Sequence, residues 1–109
     1  MSPNRGFIHW VDLDKRRPAV VLSVDELNAF AHHVVVVPVF SKGRPLRTHV
    51  PLNKGEGGLR SDSVSRCEQV MTVPKSMILP EPLGPGLSEA RMQQIVEALL
   101  HVIQPRGPH

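Results

Sequence analysis

Val34-Val35-Val36-Val37-Pro38-Val39-Phe40 is the stretch on which the reading of the fold turns. Valines are stiff at χ1 and fit a pleated surface better than a helix, so this run is a strand. It is apolar at every position, which buries both of its faces and places it inside a sheet rather than at an edge. Working towards the N-terminus, Pro18-Ala19-Val20-Val21 with Val24 has the same two-faced apolar character, a second inner strand with Pro18 tolerated at its start. Gly6 to Leu13 mixes β-branched and aromatic residues in rough alternation and reads as a half-buried strand, joined to the next by a short turn at Asp14-Lys15-Arg16. Between the two inner strands, Ser23-Val24-Asp25-Glu26 has the S-x-x-E spacing of a capping box, which predicts a short helix over Asp25 to Ala31.

Towards the C-terminus, Ser41 to Arg47 combines Lys42, Arg44 and Arg47 with Gly43 and Pro45, the chemistry of a basic loop. Thr48 to Leu52 is a short return strand, and Asn53 to Gly58 a flexible connection. Ser63 to Val73 alternates as a strand, with Val64, Arg66, Glu68, Val70 and Thr72 on one side, and neither side is wholly apolar, so something polar is displayed. Ile78 to Gly86 is too rich in Pro and Gly for extended regular structure. Ser88 is a candidate N-cap, after which Met92, Ile95, Val96, Leu99, Leu100 and Ile103 recur at helical spacing. Met92, Ile95, Leu99 and Ile103 are therefore core or dimer contacts rather than a cofactor site. The expected architecture is mainly β: a small, strongly bent antiparallel sheet or barrel, with a short internal helix and a C-terminal α-helix against it.

The 109 residues suffice for one small domain, expected over residues 1–104, with a flexible tail at 105–109. Any active site is then a surface groove or lies at a subunit interface, and dimerisation is expected. The longest apolar run is far shorter than the roughly 20 residues a membrane helix needs, and the N-terminus has no apolar signal core, so a soluble, cytoplasmic protein without membrane contact is expected. One cysteine, Cys67, excludes an internal disulfide and no zinc-ligand spacing is present; neither metal nor cofactor is called for, and Cys67 reads as a buried structural thiol. Aromatic residues make up only 4%, which argues against a nonspecific stacking platform, while a net charge of +3 permits attraction to a polyanion.

Three patches occur in register. Arg5-Gly6 with Val11-Asp12-Leu13 leads to Arg17-Pro18-Ala19-Val20-Val21; Val35-Val36-Val37-Pro38-Val39 is followed by Thr48-His49-Val50; and Asp62-Ser63-Val64 leads through Cys67-Glu68-Gln69 to Thr72-Val73 and Lys75. In that order, with the closing amphipathic helix, they resemble the MazF/PemK/Kid family of endoribonuclease toxins over about residues 5 to 104. The resemblance implies an SH3-like barrel shared with the CcdB toxins and a homodimer. It also implies metal-independent cleavage of single-stranded RNA at a short sequence, leaving a 2′,3′-cyclic phosphate and a 5′-hydroxyl. The implied partners are the RNA and a cognate MazE-like antitoxin, a DNA-binding protein whose acidic or apolar tail fills the same groove.

In-line attack by a 2′-hydroxyl needs a base, a cation or donors for the phosphorane-like oxygens, and an acid for the leaving oxygen. Arg17 matches the family's catalytic Arg before Pro, and its planar guanidinium can hold two phosphate oxygens at once. Arg66 and Glu68, two apart and so on one face if they share a strand, match the Arg-x-Asp of the Kid branch with Glu for Asp, an arginine for charge beside a carboxylate base. Ser41 is the candidate hydroxyl at the end of the central strand, where the family carries Thr-Ser; Phe40 stands in the Thr position. Thr48 and His49 match the family's Thr-His of the substrate loop. Lys15, Arg16, Lys42, Arg44, Arg47, Lys54 and Arg60 are expected to track the phosphate backbone.

The clearest departure is the connection between Asp12 and Arg17. Relatives place a longer loop there, which in the Kid branch offers a histidine, whereas here only Leu13-Asp14-Lys15-Arg16 intervene. An altered target sequence or a more open groove is expected. Two alternatives stand beside the endoribonuclease reading. One is a family member that binds RNA or antitoxin without cutting. The other is a gyrase-poisoning toxin of CcdB type, disfavoured because those toxins use a tryptophan near the C-terminus and the only tryptophan here is Trp10.

Overall fold

The computed structural model describes residues 2–105; beyond Pro105 the expected tail falls outside the described residues. The chain runs β1 (Ile8–Asp12), β2 (Arg16–Val21), α1 (Asp25–Phe30), β3 (His33–Phe40), β4 (His49–Leu52), β5 (Ser63–Arg66), β6 (Met71–Pro74), β7 (Ile78–Pro82) and α2 (Glu89–Ile103), with 3₁₀ turns at Glu56–Gly58, Cys67–Gln69 and Lys75–Met77. The strands form one antiparallel sheet in the order β4-β5-β3-β2-β1-β7. The valine-rich β3 is central and serves two partners on one edge: His33 to Val36 pair with β6, and Val39 and Phe40 pair with β5. Splitting one edge between two strands bends the sheet sharply and leaves the Phe40 end of β3 facing a different neighbourhood from the His33 end.

Both faces of β3 are covered, as its composition requires. Val37 and Val39 join Ile8, Val20, Val50, Leu52 and Cys67 in a core closed by Met92, Ile95 and Ala98 of α2. Val34 and Val36 face the other way, into a second cluster with Val11, Ala19, Val21, Val73 and Ile78. The last turn of α2 is less buried than its spacing predicts, since Leu100 and Ile103 are exposed. Ser88 caps that helix as expected, its hydroxyl accepting from the Arg91 amide at 3.1 Å.

Four local expectations are corrected. Ser63 to Val73 is not one strand: β5 ends at Arg66, the Cys67 amide extends its pairing with β4 by one bond to the Thr48 carbonyl at 2.8 Å, and the chain then turns, the Val70 amide donating to the Cys67 carbonyl at 3.1 Å while the fully buried Cys67 joins the core under α2. Glu68 therefore sits on a 3₁₀ turn, not two places along a strand from Arg66. Ser23 does not cap α1. Val24 holds the N-cap position without a side-chain bond, while the Ser23 hydroxyl donates to Asn28 Oδ1 at 2.5 Å and accepts from the Val35 amide at 3.0 Å. A buried asparagine needs such partners, and Asn28 completes its set by donating to the Pro3 and Ser23 carbonyls, so the hydroxyl is spent on the core. Residues Ile78–Pro82, despite their prolines, pair with β1, and Arg16 opens β2 rather than closing the turn.

The 3₁₀ turn at Glu56–Gly58 is tied to α2 by a bidentate pair, Arg91 Nε to Glu56 Oε2 at 2.9 Å and Nη2 to Oε1 at 2.8 Å. The Arg91 guanidinium holds the Glu56 carboxyl below its ordinary range, against the upward pull of burial. A carboxyl lowered in the folded state stabilises it fully above the ordinary pKa, and that contribution fades as pH falls through the lowered value. Glu56→Gln is expected to cost of order 1 kcal/mol near neutrality. Urea denaturation of both proteins should show the difference shrinking below about pH 4, the ordinary carboxyl range; a gap that stays constant down to the most acidic pH would refute the pairing.

Candidate active site

Strand register assembles the site. In the β2–β3 ladder Val20 faces Val37 and Ala19 faces Pro38, so one step beyond Pro18 the sequence sets Arg17 across from Phe40. On the opposite edge of β3, Phe40 faces Val64 of β5, and Arg66 lies two residues further along on the same side. Arg66 in turn faces His49 of β4. Arg17, Phe40 and Val64 therefore form one row on one face of the sheet, and Arg66 with His49 the adjoining row on the same face.

On that face the Phe40 ring meets a guanidinium from each flanking strand, Arg17 Cζ at 4.3 Å from the ring centroid and Arg66 Cζ at 4.1 Å. Arg66 also donates through Nη2 to the Lys42 carbonyl, while its buried Nε has no hydrogen-bond partner among the described residues. Arg17 is half-buried, and among the described residues no carboxylate comes within ion-pair distance of it. Its charge is uncompensated where the chain opens a cleft of about 440 Å³. Lys15 and Arg16 reach this cleft from the β1–β2 hairpin, Arg60 and Ser61 from the segment before β5, and Ser41 from the end of β3; Trp10, Pro18 and Leu83 supply apolar wall. Arg16 is partly neutralised by Asp12 at 3.6 Å. The others give the cleft a net positive charge fit for a phosphodiester.

Beyond Arg66 lies a second group. His49 Nδ1 contacts the Arg44 carbonyl at 2.9 Å, and a carbonyl only accepts, so Nδ1 carries a hydrogen. Nε2 lies 2.9 Å from Glu68 Oε2, within hydrogen-bond distance of the carboxylate. Burial pushes the Glu68 carboxyl up, but hydrogen bonds from His49, from its own backbone and from Thr48 outweigh it and hold the group below the usual carboxylate range. Cys67, next to it, is buried and its thiol is pushed up to about 11 by that burial, as an unreactive structural thiol requires.

Among the residues singled out from the sequence, the structure gathers Lys15, Arg16, Arg17, Ser41 and Arg60 around one cleft and links Arg66 to it through Phe40. Thr48, His49 and Glu68 form the adjoining cluster. Arg44 and Arg47 border a neighbouring surface with Leu46, His49, Pro51 and Val64 rather than the cleft itself, and Lys54 lies outside the cleft with its amide bonded to Asp62. Lys42 enters through its carbonyl. Residue types and the family pattern do not point to Trp10, Ser61 and Leu83 on the cleft or, above all, to Phe40 between the two arginines. Continuing the pairing of the two inner strands would have set it opposite Arg17.

Fold and site together define a class: a small, bent β-domain with a helix against one face and a cationic cleft, carrying arginines and a histidine–carboxylate pair, at the end of its central strand. The chain belongs to the PemK-like, MazF-like toxin family of type II toxin-antitoxin systems, whose model matches residues 4–103. It is 35% identical to Endoribonuclease MazF9 of Mycobacterium tuberculosis (strain ATCC 25618 / H37Rv) over 113 aligned positions, covering 90% of this chain and 94% of the relative. Endoribonuclease MazF3 of Mycobacterium tuberculosis (strain CDC 1551 / Oshkosh) is 34% identical over 67 residues, 62% of this chain and just under two thirds, 64%, of the relative. The Mycobacterium tuberculosis toxin MazF-mt6 superposes with a TM-score of 0.81 at 27% identity, covering 92% of this chain and 98% of that one. A mycobacterial endoribonuclease in complex with its cognate antitoxin shares the fold at a TM-score of 0.82 and 23% identity, over 98% and 100% of the two chains.

Proposed function

We propose that this chain is the toxin of a toxin–antitoxin pair, a sequence-specific, ribosome-independent endoribonuclease that cuts single-stranded mRNA by attack of a 2′-hydroxyl on the adjacent phosphate. The observation that carries this reading is the pair of guanidiniums, Arg17 and Arg66, converging on one aromatic ring at the edge of a cationic cleft. The family and the endoribonuclease names of its relatives support it.

Arg17 and Arg66 bind the non-bridging oxygens and stabilise the charge that grows on them, with arginine rather than a metal ion supplying the positive charge. Ser41, beside Arg17, donates its hydroxyl to the same phosphate. Glu68, held ionised against His49, takes the 2′-hydroxyl proton. The bond from the 2′-oxygen to phosphorus forms as the bond to the 5′-oxygen breaks, and that oxygen takes up a proton from water. The products are a 2′,3′-cyclic phosphate and a 5′-hydroxyl. Lys15, Arg16 and Arg60 position the flanking backbone, with Lys42, Arg44, Arg47 and Thr48 extending the track. Residues 1–104 act as one toxin unit, working as a homodimer in the cytoplasm and silenced by a MazE-like antitoxin laid across the same cleft. Solved relatives of this fold include one held by its cognate antitoxin. Among the described residues no helix is long and apolar enough to cross a membrane.

The nucleophile gives a direct test. After the cut site is mapped, an oligonucleotide carrying a single 2′-deoxy nucleotide on the 5′ side of that bond should bind as the all-ribo version does and stay intact. Cleavage of the deoxy oligonucleotide at the same bond would mean that water, not the 2′-hydroxyl, attacks.

A further inference from the structure

β3 ends on Phe40, and its ring is where the two arginines meet. Two guanidiniums brought to one place from the strands on either side of β3 repel each other, and an unpaired arginine side chain samples many rotamers. Something has to hold both. The hydrogen bonds in the site do not suffice: Arg66 has only the Lys42 carbonyl and leaves its buried Nε unpartnered, and Arg17 has no carboxylate within ion-pair distance among the described residues. What both share is the Phe40 ring, at 4.3 and 4.1 Å. The ring carries partial negative charge on both of its faces, and β2 and β5 deliver one guanidinium from either side of β3.

We propose that Phe40 is a positioning residue of this site, its ring fixing Arg17 and Arg66 at the spacing at which they receive the oxygens of one phosphodiester. This rests on the endoribonuclease reading and adds a residue to it. The ring touches no reacting atom. It reduces the reorganisation the two cations need when charge develops on the phosphate, so its removal acts on kcat more than on KM.

Phe40→Leu keeps an apolar side chain of similar size and removes the π faces; Phe40→Tyr restores them. On an oligonucleotide containing the mapped cut site, Phe40→Leu is expected to lower kcat by about 10- to 100-fold with KM changed far less, the size of two lost cation–π contacts. Phe40→Tyr should recover most of the rate. A second readout needs no catalysis: in ¹⁵N NMR the Nε–H signals of Arg17 and Arg66 should be ring-current shifted to high field in the unmodified protein and in Phe40→Tyr, and return towards ordinary positions in Phe40→Leu. Thermal denaturation of each variant checks that it is folded. A Phe40→Leu protein that cleaves at the unmodified rate overturns the proposal. So does a Phe40→Tyr protein as slow as Phe40→Leu although its arginine signals remain shifted. If the unmodified protein cuts no RNA while the shifts are present, it is the endoribonuclease reading that has failed, and the assigned role of Phe40 goes with it.

Discussion

Replacing Arg17 by alanine is expected to reduce kcat for RNA cleavage by about 100- to 1,000-fold, the scale of losing a preorganised donor aimed at developing charge. Single-turnover cleavage of an oligonucleotide at saturating protein measures it. Affinity should suffer much less, because Lys15, Arg60 and Arg66 still present positive charge to the backbone. Arg17→Lys should recover only part of the rate. Lysine keeps the charge but is a point donor, whereas the guanidinium reaches two oxygens at once and lies against the Phe40 ring. Arg16, its neighbour, supplies the internal control. It is more exposed, opposite Asp12 in the β1–β2 ladder and 3.6 Å from that carboxylate, so Arg16→Ala should weaken binding mildly with kcat nearly intact. An Arg17→Ala protein as fast as the unmodified one would remove Arg17 from the chemistry.

Gly58→Ala is expected to be the most destabilising small change in the chain outside the hydrophobic core. Gly58 has φ +88°, a region L-residues rarely adopt, and an added Cβ would be driven into the Leu83 carbonyl and to 2.7 Å from the Gly84 amide nitrogen. Both obstacles are backbone, so the chain itself must move. Strain and clash together should cost about 3 kcal/mol, lowering the melting temperature by roughly 10 °C or more for a protein of this size. Gly55 isolates the two contributions. It has φ +95° with nothing within 4 Å of an added Cβ, so Gly55→Ala should cost only the left-handed strain, about 1 kcal/mol. Equal melting temperatures for the two variants would show that the segment around Leu83 yields without cost. Gly58 and Leu83 also line the cleft, so residual activity should fall together with stability.

What the sequence made legible was whatever depends on short range. The valine run Val34 to Phe40 specified a two-faced central strand, and β3 is that strand. The helix after Ser88 followed from a cap and a helical spacing confined to its own residues. Most of the misreadings involve partners outside the stretch being read. The alternation from Ser63 to Val73 continues on paper, but a 3₁₀ turn at Cys67–Gln69 breaks it, and the core that takes up Cys67 there exists only once α2 packs on the sheet. Ser23 fits a capping box locally, yet the buried Asn28 and the Val35 amide take its hydroxyl first. At the site, the family pattern singled out Arg17, Arg66 and Glu68 one by one. What brings Arg17 and Arg66 to one ring is the register of β2 and β5 on either side of β3, which no single stretch encodes. The six residues from Lys42 to Arg47 show the limit of charge as a guide: on paper they are one basic loop, but Arg44 and Arg47 face a different surface from the cleft.

If this cleft cuts RNA with its own side chains, the ends of the cut report it directly. Purified protein is incubated with a long single-stranded RNA in EDTA, and the new 5′ ends are mapped with and without prior phosphorylation. The expected result is a set of 5′-hydroxyl ends recurring at one short sequence, absent when Arg17→Ala is used. New 5′-phosphate ends, cleavage that appears only when Mg²⁺ is restored, or intact RNA throughout would contradict it, and the last of these would leave a toxin-family fold that binds without cutting.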